Sequence, residues 1–213
     1  MKYAYLHGFA SSSKSEKGRE LAARFADRGV ELKLPELNEP SFAELTYTGM
    51  IRALDEFVAE HGADEPWRFV GSSMGGYIAA RWSEQNPGRV DRMLLLCPGF
   101  DFPARWREIL GDEGLEEWKR DGDFLFMDPE GKLEAVHWEL YEDAVESHPS
   151  YPDTDVPIRI IHGERDSIVE LTTSRNFVDE HEDAEVVMVD DDHKLYDSVD
   201  RITEEAFDFF DID

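Results

Sequence analysis

One stretch of the sequence, Trp67-Arg68-Phe69-Val70-Gly71-Ser72-Ser73-Met74-Gly75-Gly76, indicates how the chain folds. Within it, the spacing Gly-x-Ser-x-Gly centred on Ser73 matches a sharp strand-to-helix turn that exposes a serine hydroxyl above a parallel sheet. An apolar strand precedes this turn, and a helical pattern from Tyr77 to Trp82 follows it, as the turn requires. We therefore interpret Ser73 as a candidate nucleophile. The alternative is a turn of small residues that serves only tight packing.

Short apolar runs alternate with longer helical patterns along most of the chain. Several of the runs are continuously apolar, which is typical of strands buried on both faces of a parallel sheet. This alternation predicts an α/β fold with a doubly wound parallel sheet of about six strands flanked by helices. The candidate strands are Tyr3–Leu6, Val30–Leu34, Arg68–Val70, Arg92–Leu96, Ile158–Ile161 and Glu185–Val189, and the candidate helices cover about 15–28, 41–61, 74–86, 168–181 and 196–210.

The alternation is interrupted between the fourth and fifth candidate strands, where the connection is much longer than the usual few residues. This connection contains helical patterns near Pro103–Arg120 and Lys132–Ser147, and the second pattern has one apolar face. We therefore predict a single domain over residues 1–213, with a helical cap inserted at about 99–156 and packed over the sheet. Large aromatic side chains of this insertion are candidates for an acyl pocket: Phe100, Phe102, Trp106, Trp118, Phe124, Phe126 and Trp138.

A serine hydroxyl is a weak nucleophile, so it needs a base, and the base needs an acid that orients it. On this kind of fold the acid and then the histidine follow the serine, each after the carboxyl end of a strand. The segment Ile158–Asp166 is a strand that runs into a turn ending in a carboxylate, and Val186–His193 is the last strand followed by a histidine. We predict Asp166 as the acid and His193 as the base.

Other residues compete for these two roles. Glu164 lies two positions before Asp166, and Asp101 follows the preceding strand, so both are alternative acids. His162 precedes a glycine turn, where we expect it to shape the acid loop. The acidic segment Asp190–Asp192 is interpreted as a solvated run of charges. It could hold a cation loosely, but it lacks the pattern of a calcium-binding loop. We predict that the protein uses no metal ion and no organic cofactor.

An acyl-transfer site also needs donors for the negative oxygen of the tetrahedral intermediate. One donor is expected to be the backbone N–H of Met74, the residue after the serine. The other should lie in the loop after the first strand, where His7 and Gly8 have the usual form of such a loop. We assign it to the backbone N–H of Phe9, with a glycine turn of no catalytic role as the alternative.

Composition narrows the possible functions. The chain of 213 residues has 22 Lys and Arg against 49 Asp and Glu, giving a formal net charge of −27. Such a balance argues against nucleic-acid binding and polybasic membrane docking, and it disfavours polyanionic substrates unless a local basic patch overrides it. The single cysteine, Cys97, cannot form an intrachain disulfide, and no apolar run approaches the length of a membrane span. We therefore expect a cytoplasmic protein.

Several segments of the chain resemble the α/β-hydrolase superfamily: YLHGFASS, VGSSMGGY, PIRIIHGERDSIV and DDHKL. They are most similar to the small bacterial esterases of the YqiA type and to the acyl-protein thioesterase and acyl-glucuronide esterase group. The resemblance implies a six-stranded parallel core, with Ser73 as nucleophile, Asp166 as acid and His193 as base. The segment DDHKL lacks the Gly-x-His common before the base, and the insertion matches neither group closely.

Together these observations lead to the hypothesis of a serine esterase or thioesterase that works through an acyl-enzyme intermediate. Its expected partner is a small-molecule ester or thioester, or an acylated protein, and not a nucleic acid. Two alternatives stay open: the same scaffold can perform acyl transfer, lyase or perhydrolase chemistry, or it can serve as a binding protein without catalysis.

Overall fold

The computed structural model describes residues 1–148 and 151–213 of the chain. Its main feature is a six-stranded, wholly parallel sheet with the strand order β2-β1-β3-β4-β7-β8. A separate antiparallel pair, β5 and β6, belongs to the long connection between β4 and β7. The strands are β1 (Lys2–Leu6), β2 (Leu32–Lys33), β3 (Trp67–Ser72), β4 (Val90–Leu96), β5 (Asp123–Met127), β6 (Leu133–His137), β7 (Ile158–Gly163) and β8 (Ala184–Val189).

The alternation of strands and helices predicted from the sequence is confirmed, and each sequence-predicted strand corresponds to a strand of the parallel sheet. The helices are α1 (Glu16–Asp27), α2 (Tyr47–Gly62), α3 (Met74–Gln85), α4 (Phe102–Asp121), α5 (Glu139–Ser147), α6 (Leu171–Glu180) and α7 (Val199–Phe209).

The predicted start of the second helix was wrong by six residues. Ser41 and Glu44 do contact each other as a capping pair would, with the Glu44 N–H donating to Ser41 Oγ at 3.3 Å, but no helix follows directly. The α-helix instead begins after Thr46, whose hydroxyl accepts from the Gly49 N–H at 2.9 Å. The hydrogen bond at Thr46 satisfies one of the free N–H groups of the first helical turn, which is what a helix start requires.

Two apolar clusters hold the sheet between its helices. One cluster joins α2, α3 and the long connection to one face through fully buried side chains such as Trp67, Trp82 and Trp118. The other joins α1 and α7 to the opposite face through Phe25 and Phe210. Both faces of the sheet are therefore covered, which explains why several of its strands contain continuous apolar runs.

The connection between β4 and β7 differs from the helical insertion predicted over 99–156, of which residues 149 and 150 lie outside the described part of the chain. The first predicted helix is present as α4. The helix expected over Lys132–Ser147 is instead strand β6 followed by the shorter helix α5. Strand β6 pairs with β5, which places Leu133 opposite Met127 with a 64% exposed side chain. The connection is therefore a mixture of helices and a β-hairpin.

Because all six strands of the main sheet are parallel, their carboxyl ends meet at one edge. The segments after Leu6, Ser72, Gly163 and Val189 all emerge there. Among the described residues, no helix combines the length and apolar character needed to cross a bilayer.

Candidate active site

Ser73 lies at the turn between β3 and α3 in a strained backbone conformation, with φ 53° and ψ −119°. A positive φ is uncommon for a residue with a side chain and persists only where neighbouring structure enforces it. Here the Ser73 N–H donates to Leu96 O at 2.8 Å, and its carbonyl accepts from Gly76 N–H at 2.9 Å and Gly99 N–H at 3.1 Å. These bonds hold the strained turn in place.

The two glycines of the motif are required by the close approach of backbone segments. A Cβ atom on Gly71 would lie 2.7 Å from the Cα of Gly76, and one on Gly75 would lie 2.3 Å from the carbonyl oxygen of Leu6. Real Cβ atoms do not approach other atoms so closely. The sequence pattern around Ser73 therefore reflects the packing of α3 against the ends of β1 and β3.

The structure brings together the three side chains that the sequence analysis singled out. The Nε2 atom of His193 lies 3.0 Å from Ser73 Oγ, and its Nδ1 atom lies 2.7 Å from Asp166 Oδ2. The two contacts form a continuous hydrogen-bonded chain from hydroxyl to imidazole to carboxylate. Its members come from the segments after β3, β7 and β8, and 120 sequence positions separate Ser73 from His193.

The side chain of Asp166 is fully buried and accepts several hydrogen bonds. Its Oδ1 atom accepts from the backbone N–H groups of Ile168 at 2.8 Å and Val169 at 2.9 Å. Burial alone would raise the pKa of Asp166, but hydrogen bonds from His162 and His193 and from the Val169 backbone hold that pKa below its ordinary value. Asp166 is therefore a carboxylate at neutral pH, as the partner of an imidazole must be.

The two alternative acids are not in contact with His193. Asp101 accepts a hydrogen bond from the Thr173 hydroxyl at 2.9 Å, and burial raises its pKa. Glu164 is exposed, and its backbone N–H bonds to Val189 O. Among the three candidate carboxylates, only Asp166 has a hydrogen bond to His193 among the described residues.

The loop after β1 lies directly against the serine. A Cβ atom on Gly8 would be 3.0 Å from the Cβ of Ser73 and 3.6 Å from its Oγ. Phe9 follows Gly8 and lines the same cavity as Ser73, and Met74 is the buried first residue of α3, directly after Ser73. The N-terminal end of α3 adds a partial positive charge at this position.

The sequence analysis missed a buried network that supports this loop. His7 is 2% exposed, and its Nε2 atom lies 3.0 Å from Oε1 of Glu36. The other carboxylate oxygen of Glu36 accepts from both the backbone N–H and the hydroxyl of Ser13, at 3.1 and 2.9 Å. Burial opposes ionisation of Glu36, yet the hydrogen bonds from His7, Asn38 and Ser13 lower its pKa to about 2.

The aromatic side chains of the β4–β7 connection pack mainly against one another. Trp106 and Trp118 have ring centroids 5.5 Å apart, and Phe126 lies 5.1 Å from Trp106. The ring of Phe9 contacts this group, with centroid distances of 5.2 Å to Trp106 and 5.3 Å to Phe126. These residues therefore form a core that fixes the Phe9 side chain, while Phe100 stacks on Phe177 at 4.1 Å.

One group of potential metal ligands occurs among the described residues. Cys97, His162 and Asp166 each place one ligand atom within 4.8 Å of the others. His162 is already engaged, however, with Nδ1 at 2.8 Å from Ser174 Oγ and Nε2 at 3.0 Å from Val169 O. Burial raises the pKa of the Cys97 thiol, which keeps it protonated and disfavours metal binding. The donor chemistry of this group fits support of Asp166 better than a metal site.

The parallel sheet, the strained serine turn and the hydrogen-bonded chain at its carboxyl edge define an α/β-hydrolase fold. The chain is similar over 99% of its length to mouse alpha/beta hydrolase domain-containing protein 10, with a TM-score of 0.80, 18% identity and 89% of that protein covered. It is also similar over its full length to a protein of Agrobacterium vitis S4 described as a hydrolase, with a TM-score of 0.81, 25% identity and 88% of that protein covered.

The chain belongs to the uncharacterised protein family UPF0227, whose family model matches residues 2–211. It is also 28% identical over 106 residues to the monoacylglycerol lipase abhd6-B of Xenopus laevis. That alignment covers 46% of this chain and 31% of the lipase, so the chain matches only about a third of that relative's length.

Proposed function

We propose that the protein is a serine hydrolase that cleaves carboxylic esters or thioesters. The observation that carries this proposal is the hydrogen-bonded chain Ser73–His193–Asp166 at a strained strand-to-helix turn. Arrangements of this kind convert a weakly nucleophilic hydroxyl into the attacking group of acyl transfer. The similarity of the whole chain to α/β-hydrolase structures supports the same reaction class.

In the proposed mechanism, Ser73 Oγ attacks the acyl carbonyl while His193 Nε2 takes the hydroxyl proton. Asp166 holds the imidazole through Nδ1 and stabilises its cationic form. The carbonyl oxygen becomes an oxyanion that accepts from the backbone N–H groups of Phe9 and Met74. His193 then gives its proton to the leaving alcohol or thiol, and afterwards it activates a water molecule that hydrolyses the acyl-serine ester.

A fluorophosphonate probe tests this proposal, because it reacts covalently only with an activated serine. We expect the wild-type protein to be labelled and Ser73→Ala to be unlabelled, with the same pattern in the hydrolysis of 4-nitrophenyl esters. Ser72→Ala is the matched control, since among the described residues His193 has its serine hydrogen bond with Ser73 and not with Ser72, and this variant should still be labelled. A wild-type protein that neither labels nor hydrolyses esters would refute the proposal.

We also propose an order of preference between oxygen esters and thioesters as substrates. The partial similarity to a monoacylglycerol lipase favours oxygen esters, whereas the sequence resemblance to acyl-protein thioesterases keeps thioesters as the second candidate. Matched 4-nitrophenyl esters and thioesters of increasing chain length would rank the two classes. Acyl transfer to another alcohol is recognised in the same assay by a product that appears only when that alcohol is present.

The proposal also includes a cap over the active site and a cellular location. The β4–β7 connection is proposed to act as the cap over the active site, supported by its contact with Phe9. The cytoplasm is the proposed location, supported by the single, buried and unpaired Cys97.

A further inference from the structure

A small cavity of about 170 Å³ lies beside the proposed catalytic residues, and its charge differs from that of the rest of the molecule. The chain carries 49 acidic residues, but none of the described residues that line this cavity is Asp or Glu. Two of the seven lysines of the chain, Lys17 and Lys194, line it instead. The other lining residues are Tyr5, Gly8, Phe9, Ala10, Ser11, Ser15, Ser72, Ser73, His193 and Tyr196.

Lys17 is the unusual member of this lining, because its side chain is only 7% exposed. Lysine is almost never buried to this extent without a paired charge. The Lys17 ammonium donates one hydrogen bond, to the backbone carbonyl of Lys194 at 2.8 Å, and no described carboxylate forms an ion pair with it. A buried cation that lines the same cavity as the proposed nucleophile, and that forms no ion pair among the described residues, is suited to recognise an anion.

The ammonium is charged under ordinary conditions. Burial lowers the pKa of Lys17 from its ordinary value of 10.5 to about 8, while the carboxylates of Asp191, Asp192 and Asp166 oppose this shift. The lysine is therefore mostly protonated at pH 7, and only one of its three N–H groups has a hydrogen-bond acceptor among the described residues.

We propose that Lys17 recognises an anionic group of the substrate, so that the preferred ester carries a carboxylate or phosphate near its scissile bond. This inference rests on the proposed hydrolase function and narrows its substrate class. The neighbouring cleft, of about 530 Å³, has one lysine, Lys14, against five acidic residues in its lining, so it does not favour an anion; the acidic residues are Glu16, Glu36, Asp128, Glu130 and Glu134. The anionic group is therefore expected in the smaller cavity, between Lys17 and Ser73.

The test compares esters that differ only in charge. In the acyl series, the 4-nitrophenyl monoester of adipic acid is compared with 4-nitrophenyl hexanoate, because a carboxylate replaces the terminal methyl group. In the alcohol series, 4-carboxyphenyl acetate is compared with 4-carbamoylphenyl acetate. Both series are measured with the wild type, Lys17→Met, Lys17→Gln and Lys33→Met. Lys33 is the matched control, since it lies on the edge strand β2 and pairs with Glu31.

We expect the wild type to favour the anionic ester in one series by about tenfold or more in kcat/KM, as a charged hydrogen bond would give. Lys17→Met and Lys17→Gln should lose this preference, because their kcat/KM falls about tenfold more on the anionic ester than on the neutral ester of the same series. Lys33→Met should keep the preference. The series that shows it tells whether the anion lies on the acyl or the alcohol side.

Two results would overturn the proposal. One is a wild-type enzyme that hydrolyses the neutral esters without favouring the anionic ester in either series. The other is an equal loss on charged and neutral esters in both Lys17 variants, which would assign Lys17 to positioning the His193 loop through the Lys194 carbonyl. Failure of the proposed function itself would look different, because the wild type would then be neither labelled nor active on neutral esters.

Discussion

Replacing Lys17 by methionine is expected to make the protein more stable at pH 7, although the replaced residue lies at the proposed active site. Burial lowers the pKa of Lys17 from 10.5 to about 8, so the fold disfavours the charged ammonium. At 1.36 kcal/mol per pKa unit, this corresponds to about 3 kcal/mol of stability lost at pH 7. Methionine has a similar length and no charge, but it loses the hydrogen bond to Lys194, which is worth about 1 kcal/mol. The net gain is about 2 kcal/mol.

The pH dependence of this gain follows from the same pKa. Below pH 8, Lys17 is protonated in both the folded and the unfolded protein, so the full cost of the buried charge is present. Between pH 8 and 10.5 the unfolded chain binds the proton and the folded chain does not, so the wild type gains stability as pH rises. Lys17→Met should therefore exceed the wild type at pH 7 and lose this advantage by pH 10.5.

Urea denaturation of the wild type and Lys17→Met at pH 7 and pH 10.5 measures the gain in stability and its loss at high pH. The melting temperature of Lys17→Met at pH 7 should exceed that of the wild type by roughly 4–8 °C. Lys33→Met is the control, because the Lys33 side chain is 20% exposed and pairs only with the exposed Glu31, so its loss should change stability by less than about 1 kcal/mol. A Lys17→Met protein less stable than the wild type at pH 7, or an advantage independent of pH, would refute the reasoning.

Three further predictions concern the proposed catalytic carboxylate, the loop after β1 and the charge of the whole chain. Asp166→Asn should lower kcat of ester hydrolysis by about a thousandfold or more with the fold retained, because the neutral amide no longer stabilises the His193 cation. A much smaller loss in steady-state kinetics would assign the role of the acid to another residue. Glu36→Gln should slow fluorophosphonate labelling about tenfold or more, because His7 and Ser13 lose their charged partner and the loop shifts. The wild type should also depend on pH, because the stabilising contribution of ionised Glu36 is present above pH 4.5 and is lost as the pH falls toward 2. An unaltered labelling rate in Glu36→Gln would show that Glu36 does not support the proposed active site. Raising NaCl from about 0.1 M to 1 M should raise the melting temperature, because repulsion among 49 acidic residues is screened; a fall would show that specific ion pairs dominate.

The sheet and the three aligned side chains could be predicted from the sequence for one physical reason. Strands covered on both faces are continuous apolar runs, and at this edge of a parallel sheet the chemistry-bearing residues directly follow such runs. Ser73, Asp166 and His193 each lie within a few positions of a strand end. Local pattern and chain order were therefore enough to select them, and the hydrogen bonds of the structure join the same three residues.

The β4–β7 connection was predicted less well, because helical and strand periodicities coincide over short segments. Val136 and Leu140 fit a helical spacing, yet Val136 belongs to a strand and Leu140 to a helix. The strand Asp123–Met127 gave little signal, because Phe124 and Phe126 alternate with Leu125 and Met127, which are also apolar although the structure leaves them exposed. A strand of five residues contains too few alternations to outweigh a competing helical pattern.

Glu36 and Lys17 could not be predicted at all, because nothing in their local sequence distinguishes them. Glu36 follows a two-residue edge strand, and 29 positions separate it from His7. Lys17 lies in the first turn of α1, where an exposed lysine would be ordinary, and 177 positions separate it from the carbonyl that it contacts. Such residues acquire a role only through tertiary neighbours, and these depend on the packing of the whole sheet edge.

Net charge and cavity charge act over different distances, which reconciles an acidic protein with a preference for anionic esters. The net charge of −27 lowers the rate at which anions approach, but salt screens that field beyond about 8 Å at physiological ionic strength. A buried charge is screened far less, so Lys17 determines the local potential once an ester lies in the cavity. Because the fold loses stability by burying this ammonium, the same feature that weakens the protein is the one expected to select its substrate.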